Sequence, residues 1–598
     1  MNYVPVNGLR VLLIEISILL GTFLAALLLI RFAGPLAGLR WFRSFLARNW
    51  CSVGFVIAVA LLGRALLLPV IGIPEPRIND EYSYLLMGDT FAHHRLTNPT
   101  PPAWQHFETF HVTLVPTYHS KYPVAQGIVL GFGQALFHRP WTGVFLNTAL
   151  MCGAICWALQ AFVSPAWALL GGLLVVARLA LFSYWMNSYW GGSVAALGGA
   201  VALGSVVRLF NTKSSGRDRV ILSCTFAIGL LILSTSRPYE GLAFSLPLIG
   251  YFCYHALKEG VRNRMVAQTM LPVLSIGVAG LLWMGYYNHR TTGSATLLPY
   301  VLNERTYSPL PFLIPQKLRS GITPSDPVFE KYYQVEAEEH EFQKTKTVSG
   351  LTTIELGRAA ITWFFYVGPA LLIPVAVGLV SCAKRGDMRI AVFAAVTTYI
   401  AVALCNWTQP HYFSPATVVV YLCAAEGLRY FWDTHENGER AFVVAVCLTV
   451  AAASLARETG SAVWSMKYRF LNQRKAIAEQ LEMQPGKQLV LVSYDMERHY
   501  PGNELVHNGA EFSSEKILWA RDKGLEKDQD LCDAYPDRTF WMVVTDDVKL
   551  ELTAIDLCKL HQVQRPLDVP RSKQRRSSLE SSRMRGLIRF SRSVATLR

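Results

Sequence analysis

Long apolar runs separated by short polar connections dominate the chain up to about residue 457. Runs near 9–32, 51–73, 142–163, 165–183, 192–209, 220–236, 238–256, 266–287, 358–380, 389–407, 412–429 and 441–457 approach or exceed the roughly 18 residues that cross a bilayer as a helix. The pattern predicts a mainly α fold, a polytopic transmembrane helical bundle of about 12 spans. The first run is too long for the apolar core of a signal peptide and has no A-x-A pattern after it, so it is expected to stay as a span. One apolar segment, KYPVAQGIVLGFGQALF (121–137), is too short to span and is expected to lie re-entrant or in the interface.

Charge in the connections orients the bundle. Basic residues cluster at 33–50, 210–219, 257–265 and 381–389. These loops alternate correctly if all four are cytoplasmic, which puts both termini on the outer side of a bacterial inner membrane. Three polar regions then face outward: a loop at 74–121, a loop at 288–357 and the part beyond 457. In the last, QLVLVS (488–493) and TFWMVV (539–544) read as buried strands and 466–483 as a helix. The expected organisation is a membrane domain over 1–457, a small extracytoplasmic α/β domain over 458–563 and a basic tail over 564–598.

Composition agrees with this picture: 52% of the 598 residues are hydrophobic and 16% charged, where a soluble chain carries about 25%. The tail holds ten Lys or Arg against Asp568 and Glu580, a net +8 of the chain's +14. It reads as a solvated end that can touch anionic membrane lipids. Nothing points to nucleic acid. Nine of the 11 cysteines lie in or beside apolar runs, where they act as small hydrophobes. Only Cys532 and Cys558 fall in polar sequence, free to pair if that region is extracytoplasmic. No metal-ligand spacing is present; Glu497, His499, Glu504 and His507 match no familiar site.

Candidate chemistry lies at the outer edge. PEPRINDEYSYL places Asp80, Glu81 and Tyr82 just beyond the second span. An acid there suits a general base, or it belongs to an ordinary helix start capped by Asn79 or Asp80. Glu108 is a further carboxylate in the same loop. Lys121 and Tyr122 precede the short apolar segment, where a lysine can meet a lipid phosphate or simply snorkel. Arg237, Tyr239 and Glu240 stand at the outer end of a span, as a site or as a local ion pair. Arg64 sits inside a span, where a charge faces a cavity or the bundle interior. SYWMNSYWGG (183–192) gathers Trp185, Tyr189 and Trp190, an aromatic belt or a wall for a sugar or isoprenoid. His411 lies in a late outer-edge turn, QPHYFSP.

An Asp-Glu pair opening the first external loop, a Lys-Tyr-Pro entry to an interfacial helix, the late HYFSP turn and a soluble C-terminal part together resemble the GT-C glycosyltransferases. That superfamily includes protein O-mannosyltransferases and the lipid A aminoarabinose transferase. The segments DEYSYL, RLTNPTPPAW, HFETFH, SKYP, SYWMNSYWGG and SRPYEGL look like a bacterial branch of it. Two positions depart from the family pattern: Val124 follows Pro123 where a second proline is usual, and His411 stands where Arg is frequent. The resemblance implies an inverting transfer of a sugar from a polyprenyl-phosphate donor to an acceptor hydroxyl on a lipid, protein or polysaccharide at the outer face. It implies Asp80 as base and Glu81 as orienting the acceptor or a cation, which leaves room for a divalent ion but requires none. Lys121, Arg237, His411 or Arg64 would hold the donor phosphate. Tyr82, Glu108, Tyr122, Trp185, Tyr189, Trp190, Tyr239 and Glu240 would line the substrate. The competing expectations are a flippase for lipid-linked saccharides, which predicts related halves with interrupted helices, and a non-catalytic subunit of envelope-glycan assembly.

Overall fold

The computed structural model describes residues 17–27, 49–211, 215–258, 263–322, 326–336, 342–434, 437–467, 469–500, 502–546 and 550–559. The chain is mainly helical. Five described helices are long and apolar enough to cross a membrane: Asn49–Leu66, Pro140–Leu159, Ser193–Phe210, Gly216–Ser236 and Ala267–Thr292. Ser17–Leu27, Val124–Phe137 and Pro165–Ala180 are shorter apolar helices, and Leu372–Lys384 with Arg389–Ala403 forms a pair bent by 118°. Most of the expected span at 9–32 and all of the expected tail lie outside the described residues.

Two expected spans are built differently. The run at 358–380 is broken: one helix covers Val348–Tyr366 and the next begins at Leu372. Thr347 caps the first, accepting the Gly350 amide at 3.1 Å. The break follows from Gly368, held at φ 63° against the Arg178 guanidinium, with Pro369 after it. The run at 165–183 is α-helical only to Val175 and then widens into a π turn over Val176–Ala180. Arg178 in that turn is buried and donates to the Phe364 and Phe365 carbonyls at 2.5 and 3.2 Å.

The core of the bundle is a continuous apolar cluster that runs from Val53 through Cys156, Trp185, Phe244 and Tyr421 to Val450. Outside it, the 74–121 region carries the helix Asn79–Ala92, with Asp80 and Glu81 in its first turn where the helix dipole favours acids. Ile78 is its N-cap and makes no side-chain cap bond, so the expected cap at Asn79 or Asp80 is not formed. This helix crosses Val124–Phe137, the short apolar segment, at close range. A Cβ on Gly88 would stand 2.7 Å from Leu130 Cβ, and one on Gly131 2.9 Å from the Gly88 carbonyl. Glycine at these crossings lets the acid-bearing helix lie directly on its neighbour. Between the two helices, β1 (Val112–Thr113) and β2 (His119–Ser120) form a two-stranded antiparallel hairpin.

The C-terminal part forms a four-stranded sheet of order β4-β3-β5-β6, from β3 (Lys487–Tyr494), β4 (Ile517–Arg521), β5 (Arg538–Thr545) and β6 (Leu550–Ile555). The first three strands are parallel and β6 is antiparallel. Alternate residues of β3 bury on opposite faces, Val490 and Val492 on one and Leu489 and Leu491 on the other. The helix Arg469–Glu482 covers the first face through Ile477 and Leu481, and Leu525–Ala534 covers the second through Leu531. Cys532 and Cys558 are joined as a disulfide across 26 residues. Cys532→Ser is expected to lower the stability of this sheet by about 3 kcal/mol, read as a fall in its thermal midpoint that reductant reproduces in the parent protein.

The sheet is fastened to the 74–121 region. Asp89 accepts the Ala510 amide at 2.7 Å, Tyr118 donates to the Asn508 carbonyl at 2.9 Å, and Arg521 donates to the Glu108 carbonyl at 3.1 Å. Arg95 pairs with Glu511, and Tyr82 stacks on His507 at 3.9 Å.

Candidate active site

Asp80 is the centre of the cluster. Its side chain keeps 26% of its surface open. Tyr122, delivered by the turn after β2, donates its hydroxyl to Asp80 Oδ1. His111, immediately before β1, places Nε2 3.7 Å from Asp80 Oδ2. Tyr84, one helical turn on from Asp80, stacks on Tyr122 at 4.4 Å. Burial pushes the Asp80 carboxyl above the usual range, while the Tyr122 hydroxyl and the charges of Lys121 and Arg237 pull it back. A carboxyl held this way, partly open and fixed at one oxygen, suits proton transfer.

Lys121 and Arg237 both reach this centre electrostatically. Lys121 is buried and its ammonium pairs with Glu304 at 3.0 Å, between the rings of Tyr122 and Tyr300. Arg237 lies over the Tyr412 ring at 4.2 Å and 3.6 Å from Glu240. Glu240 therefore acts as the arginine's partner. His411 is buried, within 3.0 Å of the Tyr184 hydroxyl and edge-on to Trp190 at 4.6 Å. Burial and then Arg237 depress its pKa well below the ordinary value, so at neutral pH the imidazole brings an N–H and no charge.

Glu81 turns away from Asp80's partners. Its carboxyl accepts the amides of Tyr189 at 3.2 Å and Arg77 at 3.3 Å. It thus ties the SYWMNSYWGG loop to the acid-bearing helix. Burial raises its pKa to about 8. The folded protein then binds a proton here that the unfolded chain releases above its ordinary carboxyl range. Stability from this site is full in acid and is lost as pH rises through about 8. Glu81→Gln is expected to flatten the fall in melting temperature between pH 5 and 8, and an unchanged slope would contradict the buried neutral carboxyl.

The other expected site residues are placed elsewhere. Arg64 is fully buried inside its helix and donates to the Gly72 carbonyl at 2.7 Å and Asn187 Oδ1 at 3.0 Å, over the Trp141 ring. Trp185 is fully buried against Phe365 and Tyr366. Tyr189 donates to the Pro74 carbonyl at 2.8 Å, and its own carbonyl accepts from Gln126 at 2.7 Å. Glu108 accepts from the Tyr307 hydroxyl at 3.3 Å and lies 3.6 Å from the Lys523 ammonium. Tyr82 faces His507 and Arg474 of the C-terminal part. Tyr239 packs edge-on to Phe312. It also begins an open groove of about 740 Å³ between the helices Pro238–Lys258 and Arg389–Ala403, walled by Leu246, Tyr254, Phe393, Thr397 and Ile400.

Sequence reasoning did not single out His111, Tyr84 or Glu304. His111 stood inside the HFETFH segment, ten residues before Lys121, and only the hairpin brings the two together: the Lys121 amide donates to the His111 carbonyl at 3.0 Å. No group of three or more His, Cys, Asp or Glu gathers to hold a metal ion among the described residues. Glu504, weighed as a ligand, is instead bound to Arg521 and Tyr494.

No family profile and no curated protein matches this sequence. Among solved structures, ArnT from Cupriavidus metallidurans bound to undecaprenyl phosphate is similar at 13% identity and a TM-score of 0.47, over 83% of this chain and 93% of that one. The Archaeoglobus fulgidus oligosaccharyltransferase tethered with an acceptor peptide is similar at 12% identity and a TM-score of 0.45, over 78% of this chain. The chain spans 64% of the length of that enzyme. The archaeal oligosaccharyltransferase AglB in complex with an inhibitory peptide and a dolichol-phosphate is similar at 10% identity and a TM-score of 0.46, over 84% of this chain and 70% of that one.

Proposed function

We propose that this protein is an inverting glycosyltransferase that moves a sugar from a polyprenyl-phosphate donor to an acceptor hydroxyl at the outer face of the membrane. The observation that carries the reading is Asp80: a partly open carboxyl, fixed at one oxygen by Tyr122 and set in the field of Lys121 and Arg237. A base beside fixed cations is what this reaction needs. As the acceptor oxygen attacks the anomeric carbon, its proton passes to Asp80 and the carbon–oxygen bond to the phosphate breaks. One displacement with one base inverts the centre. The charge that grows on the departing phosphate is met by Arg237, held in place by Glu240 and Tyr412.

Two further observations support the reading. The groove that begins at Tyr239, two residues from Arg237, is apolar and open to the side, suited to a prenyl tail whose phosphate lies at Arg237. The Cys532–Cys558 disulfide is stable in an oxidising compartment, in keeping with an outward-facing C-terminal part. Both Glu81 oxygens accept backbone amides and Asp80 Oδ1 accepts the Tyr122 hydroxyl, which leaves Asp80 Oδ2 as the oxygen to take the acceptor proton. The test is the anomeric configuration of the sugar transferred by the purified protein. Inversion relative to the donor is expected, and retention would rule out the single displacement.

A further inference from the structure

His111 stands beside Asp80, immediately before β1. It adopts a left-handed backbone at φ 64°, uncommon for a residue with a side chain. Its carbonyl is gripped from two sides, by the Ser83 hydroxyl at 2.6 Å and the Lys121 amide at 3.0 Å. The first grip ties it to the helix that carries Asp80, and the second to the turn after β2 that delivers Tyr122. The imidazole is nearly buried, Nδ1 has no hydrogen-bond partner, and Nε2 stands 3.7 Å from Asp80 Oδ2. Burial and the Lys121 charge keep the ring neutral, so it does not close on Asp80 as an ion pair.

A separation of 3.7 Å is too long for a direct hydrogen bond. It is the right width for one hydroxyl oxygen lying about 2.8 Å from both atoms. Asp80 Oδ1 is already taken by Tyr122, so Oδ2 is the oxygen left for a substrate. We propose that Asp80 Oδ2 and His111 Nε2 together form the acceptor subsite, a clamp for a single sugar- or alcohol-type hydroxyl. The acceptor O–H donates to Oδ2 while its oxygen accepts from Nε2–H. On reaction the proton moves from the acceptor oxygen to Oδ2, the acceptor oxygen bonds the anomeric carbon, and the phosphate leaves with the electron pair of the broken carbon–oxygen bond. His111 keeps its own proton throughout. This tautomer leaves Nδ1 as the bare nitrogen, in agreement with its lack of a partner.

The inference rests on the transferase reading, but its test does not require turnover. Full-length protein in nanodiscs is treated with dicyclohexylcarbodiimide, which modifies protonated carboxyls, and labelling of Asp80 is followed by mass spectrometry with and without glycerol as the hydroxyl probe. Glu515, whose carboxyl burial raises to about 7 and which lies outside the clamp, is the internal reference. Glycerol is expected to slow labelling of Asp80 relative to Glu515 in the parent protein and in His111→Gln, which retains an N–H donor. In His111→Phe the protection is expected to weaken about fivefold, the worth of one hydrogen bond. If the Phe variant does not fold, His111→Met replaces it, with the same expectation. Equal protection in the parent and the Phe or Met variant, or none in the parent, overturns the clamp. Failure of the parent to consume any donor overturns the transferase reading and leaves the protection pattern to decide the clamp by itself.

Discussion

Asp80→Asn is expected to lower sugar transfer by about 10³-fold, within the usual contribution of a general base. The argument is geometric. Asn keeps the volume and still accepts from the Tyr122 hydroxyl, so the helix Asn79–Ala92 and its crossing with Val124–Phe137 should be undisturbed. What is lost is a group that can receive the acceptor proton. The loss therefore falls on the chemical step, and donor affinity stays close to that of the parent. Asp80→Asn with wild-type transfer would mean that the base lies elsewhere. Glu81 is a poor substitute, since both its oxygens face backbone amides and its carboxyl is neutral up to about pH 8.

The second large effect is expected at Arg237. Arg237→Gln removes the cation that lies on Tyr412 and is paired with Glu240. Transfer is expected to fall by about 10²- to 10³-fold, the range for one fixed group facing a developing anion. Donor affinity should weaken at the same time, because the phosphate is already charged in the ground state. This separates the two variants: Asp80→Asn changes kcat, whereas Arg237→Gln changes kcat and KM for the donor together. Arg237→Lys keeps a point charge but loses the stack on Tyr412, and is expected to recover only part of the activity. An Arg237→Gln protein with unchanged KM for every polyprenyl-phosphate donor would remove Arg237 from the phosphate site.

Much of this was readable from the sequence, and the reasons differ by element. The apolar runs at 142–163, 192–209, 220–236 and 266–287 each overlap a helix long and apolar enough to cross a membrane, because uninterrupted hydrophobicity at that length has few other solutions. The short segment after Lys121 is a helix of 14 residues, as its length implied. The strands at 488–493 and 539–544 are found in β3 and β5, since a short apolar run bounded by turns suits a doubly covered parallel sheet. Cys532 and Cys558, free to pair if their region is extracytoplasmic because they alone fall in polar sequence, are joined as a disulfide.

What could not be read depends on contacts between distant residues. Nothing in the run 358–380 revealed that Arg178, nearly two hundred residues earlier, would pack on Gly368 and mark the break. The acids at 80 and 81 are adjacent, yet one faces Tyr122 and the other the amides of Arg77 and Tyr189, a division made by the loops and not by the pair itself. Arg64 stood inside an expected span, where a charge faces a cavity or the bundle interior, and Trp185 in a stretch readable as an aromatic belt or as a substrate wall. In the fold both are fully buried, Arg64 against a backbone carbonyl and an Asn side chain and Trp185 among other rings. His111 stood inside the HFETFH segment, but its place beside Asp80 depends on a hairpin whose strands are two residues long.

The central claim is that a polyprenyl-phosphate sugar is consumed at Asp80. It is tested most directly by supplying the purified protein in nanodiscs with a panel of polyprenyl-phosphate sugars and measuring free polyprenyl phosphate, with Asp80→Asn in parallel. The account predicts release from at least one donor by the parent protein and none above background by the variant. Folded parent protein that releases polyprenyl phosphate from no donor, or a variant that releases it at the parent's rate, would contradict it.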